Sequence, residues 1–103
     1  MTESNHDDED AKVRSALAES GDDGRTPRRT SFYFTGGNLD GLRAAADREG
    51  YSVRPTPTND GVILEATIAV DEQGFATHRQ RMDRWSEEFD SQYHGWECQL
   101  LTQ

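Results

Sequence analysis

Cys98 and the three histidines are candidates for a nucleophile, a general base or a metal ligand. A cysteine beside a histidine could form a nucleophile–base pair. His94 lies four residues before Cys98, and a strand advances about 3.3 Å per residue, so the two are roughly 13 Å apart. We therefore interpret Cys98 as a buried strand residue and predict no catalytic residue.

His78 lies on the apolar stripe of a predicted helix, where its ordinary role is at the boundary of the core. A metal site would need a second ligand about one helical turn away, but residue 82 is a methionine. Three scattered histidines and one cysteine make no ligand set. We predict neither a metal ion nor a cofactor.

Gly36-Gly37 precedes a predicted helix, whose backbone N–H groups could hold an anion. The later Gly, Lys and Ser/Thr of a phosphate loop are missing, which favours a simple strand-to-helix turn. Phe32, Tyr33 and Phe34 could stack on bases as in RNA-recognition domains, but the basic residues of those strand motifs are absent.

The charge balance excludes several classes of partner. The 103 residues include 20 acidic and 11 basic ones, for a formal net charge of -9. This excess repels the phosphate backbone and argues against direct binding to nucleic acid.

No window approaches the roughly 18 apolar residues that a membrane span needs, and the N-terminus has no apolar signal segment. A cytoplasmic protein is expected.

Hydrophobic residues are unevenly distributed, which divides the chain into three parts. Residues 1–9 are mostly polar and include four acidic residues, and they are predicted to be a disordered tail. Residues 10–30 are predicted to form a short helix, with Val13 and Leu17 on one face, followed by a loop. Residues 31–103 carry the aromatic and aliphatic runs and are predicted to form the main domain.

Within the main domain the patterns predict four strands and two helices. The strands are placed at residues 31–35, 51–58, 62–70 and 93–101, and the helices at residues 39–49 and 71–90. The second strand contains Pro55 and Pro57, which remove backbone donors and favour a sheet edge. The third strand is almost continuously apolar, which indicates a central position. The second helix carries an apolar stripe, formed by Phe75, His78, Met82, Trp85 and Phe89.

The element order is a short helix followed by βαββαβ. Two split β-α-β units joined by a hairpin are typical of an α+β, ferredoxin-like sandwich, here with an additional short N-terminal helix. In that arrangement the first and third strands are central and the second is at an edge, which agrees with the composition of each strand.

Acidic side chains at the predicted end of the second helix are followed by aromatic ones at the start of the last strand. One interpretation is that Trp96 anchors the core and Gly95 permits a close backbone approach. The other is a surface that binds an Arg-rich partner. Residue types alone favour the first. The candidate partner-binding residues are Glu87, Glu88, Asp90, Tyr93, His94, Gly95, Trp96 and Glu97.

The segment Tyr93-His94-Gly95-Trp96-Glu97 resembles the YDGWE signature of the RraB family, the regulators of ribonuclease activity B. Further matching pieces lie in the same order along the chain, and the resemblance spans about residues 10–103. These pieces are residues 17–23 through 27–28, Phe32-Tyr33-Phe34, Glu49-Gly50-Tyr51 and the helix end from Trp85 to Phe89.

The resemblance implies a ferredoxin-like domain that is not an enzyme. It also implies a protein partner, since the family's type member binds a non-catalytic, scaffold-like region of ribonuclease E and modulates RNA decay. Two features depart from the family: His94 stands where it has Asp, and its acidic C-terminal extension does not follow Gln103.

Two hypotheses of function follow. The first is a non-enzymatic, protein-binding regulator of the RraB type, whose partner is ribonuclease E or another basic protein. The alternative is a small-ligand-binding or enzymatic ferredoxin-like domain that uses the exposed sheet or the Gly36-Gly37 turn.

Overall fold

A computed structural model of the chain describes residues 5–19, 21 and 24–98. These residues form helices and strands that we number in chain order. The helices are α1 (Asn5–Glu19), α2 (Leu39–Arg48) and α3 (Glu72–Glu88); the strands are β1 (Arg28–Thr35), β2 (Ser52–Pro55), β3 (Gly61–Ile68) and β4 (Gln92–Cys98). None of the helices in these ranges is long and apolar enough to cross a membrane.

The four strands form one antiparallel sheet in the order β2-β3-β1-β4. The predicted central positions of β1 and β3 and the predicted edge position of β2 are therefore confirmed. Mixed helices and an antiparallel sheet also confirm the α+β class. Pro55 lies in the edge strand β2, where its missing N–H breaks no central ladder.

The helices pack on one face of the sheet because that face carries most of the large apolar side chains. In β1, Phe32 and Phe34 are fully buried and lie in the same core cluster as residues from all three helices. Successive strand residues point to opposite faces, so Tyr33 between them is directed to the other face. The helical members of the core are Leu17, Leu42, Ala45, Ala46, Phe75, Met82 and Trp85.

Aromatic rings form a continuous path through this core. The Phe75 ring lies 4.3 Å from that of Trp96 and 5.8 Å from that of Phe32, measured between centroids. The path continues from Phe32 to Tyr51 at 6.1 Å and from Tyr51 to Trp85 at 5.7 Å, both edge-on. Such pairs stabilise a core beyond their buried area. They join β4, β1 and α3 to the residue that precedes β2.

A side-chain cap lies at the N-terminus of both α2 and α3. The side chain of Asn38 accepts a hydrogen bond from the Gly41 N–H at the start of α2, at 3.0 Å. Asp71 does the same for Gly74 at the start of α3, at 3.2 Å. Each cap satisfies a backbone donor that has no partner within the helix.

Several element bounds differ from the predicted ones. Helix α1 begins at Asn5, five residues before the predicted start, so the acidic run is helical from there. Strand β1 begins at Arg28 because Arg28 pairs with Ile68 across the sheet; the loop predicted for residues 28–30 is wrong. Strand β2 ends at Pro55, and a turn then begins in which Asn59 N–H donates to the Thr56 carbonyl.

Parts of some predicted elements fall outside the residues that the structure describes. These are residues 1–4 of the predicted tail, residues 20 and 22–23 of the helix and loop, and residues 99–103 at the end of the last strand.

The Gly36-Gly37 turn is packed against the connection between α3 and β4. Asn38 N–H donates to the Phe89 carbonyl at 2.8 Å, and Gly37 faces the carbonyl oxygens of Phe89 and Asp90. Both glycines have positive φ, 72° and 73°, which favours glycine because other residues meet steric strain there. The turn thus fixes the start of α2 against the end of α3.

Gly36→Ala and Gly37→Ala are a matched pair for testing this packing. Both variants acquire the left-handed strain, which costs about 1–2 kcal/mol. A Cβ at Gly36 meets nothing within 4 Å, whereas one at Gly37 collides with the Asp90 carbonyl oxygen. We expect Gly37→Ala to lower the free energy of unfolding by about 1–3 kcal/mol more than Gly36→Ala in urea denaturation. Equal losses would contradict the packing.

Trp85→Ala tests the core stripe of α3. The Trp85 side chain is only 4% exposed, so its truncation is expected to lower the free energy of unfolding by roughly 3–5 kcal/mol. Arg84→Ala, at an exposed neighbouring position, is the control and should change it by less than about 0.5 kcal/mol. A Trp85→Ala variant as stable as the control would show that the stripe is not part of the core.

Candidate partner-binding surface

The eight sequence-predicted site residues lie at the end of α3, in the connection to β4, and along β4. Tyr93, Gly95 and Trp96 are buried. The Tyr93 ring packs 5.0 Å from that of Phe34, and Trp96 packs on Phe75. Trp96 therefore anchors the core, as the simpler interpretation of the segment predicted, and Tyr93 does so as well.

The other five predicted residues are exposed and fall into two groups. Glu87 and Glu88 at the end of α3 and Asp90 after it form the acidic helix end. His94 and Glu97 lie on the face of the sheet opposite the helices, where His94 contacts the Thr35 hydroxyl and Glu97 the Tyr33 hydroxyl.

A β-bulge in β4 determines which face of the sheet each of its side chains occupies. Tyr33 pairs with Gly95 and Phe34 with Tyr93, so His94 is an extra residue in the ladder. The extra residue lets Tyr93 and Trp96, three positions apart, both face the core. Gly95 adopts a φ of 108° at this point, a conformation that side chains disfavour. The Gly of the segment is thus a requirement of the bulge.

We define the open sheet face as Arg29, Ser31, Tyr33, Thr35, Ser52, Arg54, Ile63, Glu65, Thr67, His94 and Glu97, the outward-facing residues of the four strands. Its side chains bond to one another across the strands. Tyr33 donates to Glu97 at 2.6 Å. Glu65 accepts from Ser31 at 3.0 Å and from Arg54 at 2.7 Å. These contacts form a polar network over a shallow depression of ≈ 500 Å³.

The surroundings of the network shift the pKa values of two of its members, Tyr33 and Glu65. Burial, followed by the hydrogen bond to Glu97 and the charge of Glu97, raises the pKa of Tyr33 to about 12. The hydrogen bond from Arg54 holds the pKa of the Glu65 carboxyl below its usual value. At neutral pH the open sheet face therefore carries a neutral Tyr33 phenol and an ionised Glu65 carboxylate.

Sequence reasoning missed Tyr33, Arg54 and Glu65 as members of a surface. The alternation of side chains along a strand could have identified Tyr33, because it lies between two buried phenylalanines and must therefore point to the other face. Glu65 is the single charge in the apolar run of residues 62–70, which marks it as facing away from the core. Its pairing with Arg54 depends on the register of β2 and β3, which the sequence does not state.

The sites that the alternative hypothesis would use do not offer the surroundings that bind an anion or RNA. Gly37 faces two backbone carbonyl oxygens, which repel an anion. Phe32 and Phe34 are fully buried and cannot stack on bases in this structure. Cys98 is half-buried and packs against the core. Within the described part of the chain, no three His, Cys, Asp or Glu side chains converge so that they could hold a metal ion.

Glu97→Gln tests the Tyr33–Glu97 contact. Removing the carboxylate charge is expected to lower the pKa of Tyr33 from about 12 toward the ordinary tyrosine value of 10.0, because a nearby negative charge opposes phenolate formation. Titration of ring-labelled tyrosine by NMR measures this. Glu65→Gln is the control, since Glu65 does not bond to that hydroxyl. Identical Tyr33 titrations in both variants would contradict the contact.

Comparison with known proteins agrees with the resemblance seen in the sequence. A protein-family model described as "Regulator of ribonuclease activity B" matches residues 7–98. No curated protein and no solved structure matches significantly. The match covers most of the chain, including α1, the sheet and the bulge in β4. The chain therefore belongs to the RraB family, the regulators of ribonuclease activity B.

Proposed function

We propose that this protein is a non-enzymatic, cytoplasmic regulator that modulates RNA decay. It does so by binding a protein partner, which is either ribonuclease E or another basic protein. The observation that carries the proposal is the family match over residues 7–98. The net charge of -9 supports a protein partner, since a polyanion such as RNA is repelled.

Two exposed features are proposed to contact the partner: the acidic helix end and the β4 side of the open sheet face. The acidic helix end is the stronger candidate for a basic segment. The last turn of α3 carries no basic residue, although the negative end of a helix dipole favours cations there. Glu87 and Glu88 thus lie where negative charge costs stability, which supports a role outside folding.

His94 and Glu97 would supply the contacts of the second feature. Both already bond to β1 side chains, Thr35 and Tyr33, so their positions are fixed before a partner arrives. Fixed side chains lose less conformational entropy on binding. Tyr93, Gly95 and Trp96 would act indirectly, by holding the bulge that presents these two residues.

We also propose that the fold belongs to the ferredoxin-like class, with α1 as an addition. The strand order β2-β3-β1-β4 with antiparallel neighbours supports this assignment, as does the βαββαβ order of the main domain. Leu17 of α1 is 1% exposed and lies in the common core. We therefore propose that α1 folds together with residues 31–98.

The triple variant Glu87→Gln, Glu88→Gln, Asp90→Asn tests the acidic helix end. Asn is chosen at position 90 because Asp90 has a φ of 52°, which Asn tolerates well. At about 0.5 kcal/mol per exposed charge, binding is expected to weaken roughly tenfold with little change in melting temperature. Calorimetry with the purified scaffold region of ribonuclease E from the source organism measures the affinity.

The control variant neutralises Glu19, Asp47 and Glu72, one exposed acidic residue from each helix region. It changes the net charge equally but leaves the acidic helix end intact. If both triple variants lose affinity equally, only the overall charge matters and the proposed surface is wrong. No binding by the wild-type protein would instead refute this nuclease region as the partner.

A further inference from the structure

A hydrogen-bonded cluster that the proposed function does not use lies where α3 crosses the residue before β2. Tyr51 is 3% exposed, and its hydroxyl has two polar neighbours on α3. His78 Nδ1 lies 2.6 Å from it, and Arg81 Nη1 lies 3.0 Å from it. The Tyr51 and His78 rings also meet edge-on, with 5.9 Å between their centroids.

Hydrogen-bond polarity favours one state of His78. A guanidinium can only donate, so the Tyr51 oxygen accepts from Arg81. Among the described residues, the Nδ1 atom of His78 is the acceptor that the Tyr51 O–H reaches. This bond requires a neutral His78 with its proton on Nε2. His94 lies on the open sheet face, where it contacts Thr35, and is not part of this cluster.

We propose that His78 is a pH-sensitive latch, which in its neutral form holds α3 to the junction between α2 and β2. A proton on Nδ1 would turn this acceptor into a donor facing a hydroxyl that already accepts from Arg81. The Tyr51 hydrogen would lose its acceptor, and a buried polar group without a partner destabilises the packing. The latch therefore loosens as the solution becomes acidic.

The groups around His78 favour its neutral form, and one of them opposes this in part. Tyr51 faces it from the residue before β2, and Arg81 lies one turn along α3. Glu49, at the end of α2, lies 3.5 Å from Arg81 and offsets part of its charge. Burial, followed by the charge of Arg81, lowers the pKa of His78 from 6.5. Burial raises the pKa of Tyr51, so this phenol stays protonated.

The sign of the pH effect follows from the lowered pKa. The unfolded chain binds a proton at His78 near pH 6.5, whereas the folded protein binds it only at lower pH. Stability from the latch is thus complete above the unfolded pKa and is lost as pH falls through the folded pKa.

Nitrogen NMR of His78 tests the latch directly, with Tyr51→Phe as the variant that keeps the ring but removes the hydroxyl. We expect the Nε2–H tautomer in the wild type. We also expect the pKa of His78 to rise in Tyr51→Phe, because the bond that favours its neutral form is gone. A proton on Nδ1 at neutral pH, or an unchanged pKa in the variant, would overturn the proposal.

A stability measurement with His78→Gln separates the latch from simple burial of a ring. Glutamine keeps a carbonyl acceptor for Tyr51 but does not titrate. Between about pH 7.5 and pH 5.5, the wild type is expected to lose several degrees more in melting temperature than this variant. Equal losses would refute the latch. If His78→Gln fails to fold, the tautomer and the Tyr51→Phe titration still decide.

Discussion

Burial of aromatic rings on one face of the sheet is the constraint on which the rest of the structure depends. Phe32 and Phe34 on β1 and Trp96 on β4 fill the space under the helices. Because strand residues alternate between faces, this burial leaves Tyr33 and Glu97 on the open side. The same alternation in β3 exposes Glu65 opposite buried Leu64. The polar network of the open sheet face is thus a consequence of where the core rings lie.

The bulge in β4 reconciles the core with the family signature. Tyr93 and Trp96 both pack inward, although an uninterrupted strand would place residues three apart on opposite faces. His94 is the extra residue and Gly95 supplies the backbone conformation. The residues of the signature are therefore explained mainly by packing, and its exposed side chains are presented by that packing. This is why a segment that serves the core can also shape a binding surface.

Local patterns were enough to predict the element types and the central strands. Pro55 and the apolar run of β3 gave the strand positions through backbone chemistry and burial. The extension of β1 to Arg28 could not be predicted this way, because it depends on pairing with Ile68, forty residues away. The Arg54–Glu65 ion pair and the Tyr51–His78 contact are likewise set by register and helix docking. For His78 the sequence predicted a boundary position, which agrees with its half-buried ring, but not its partner.

Desolvation distinguishes the two exposed features proposed to contact a partner. On the open sheet face, Glu65 is bonded to Arg54 and Glu97 to Tyr33, so a cationic partner must compete with contacts that already exist. At the acidic helix end the last turn of α3 has no basic residue, and the helix dipole attracts positive charge. In the proposed complex, a basic segment would therefore gain more net attraction at the helix end. The open sheet face, with its fixed hydrogen-bond pattern, would contribute mainly to which partner fits.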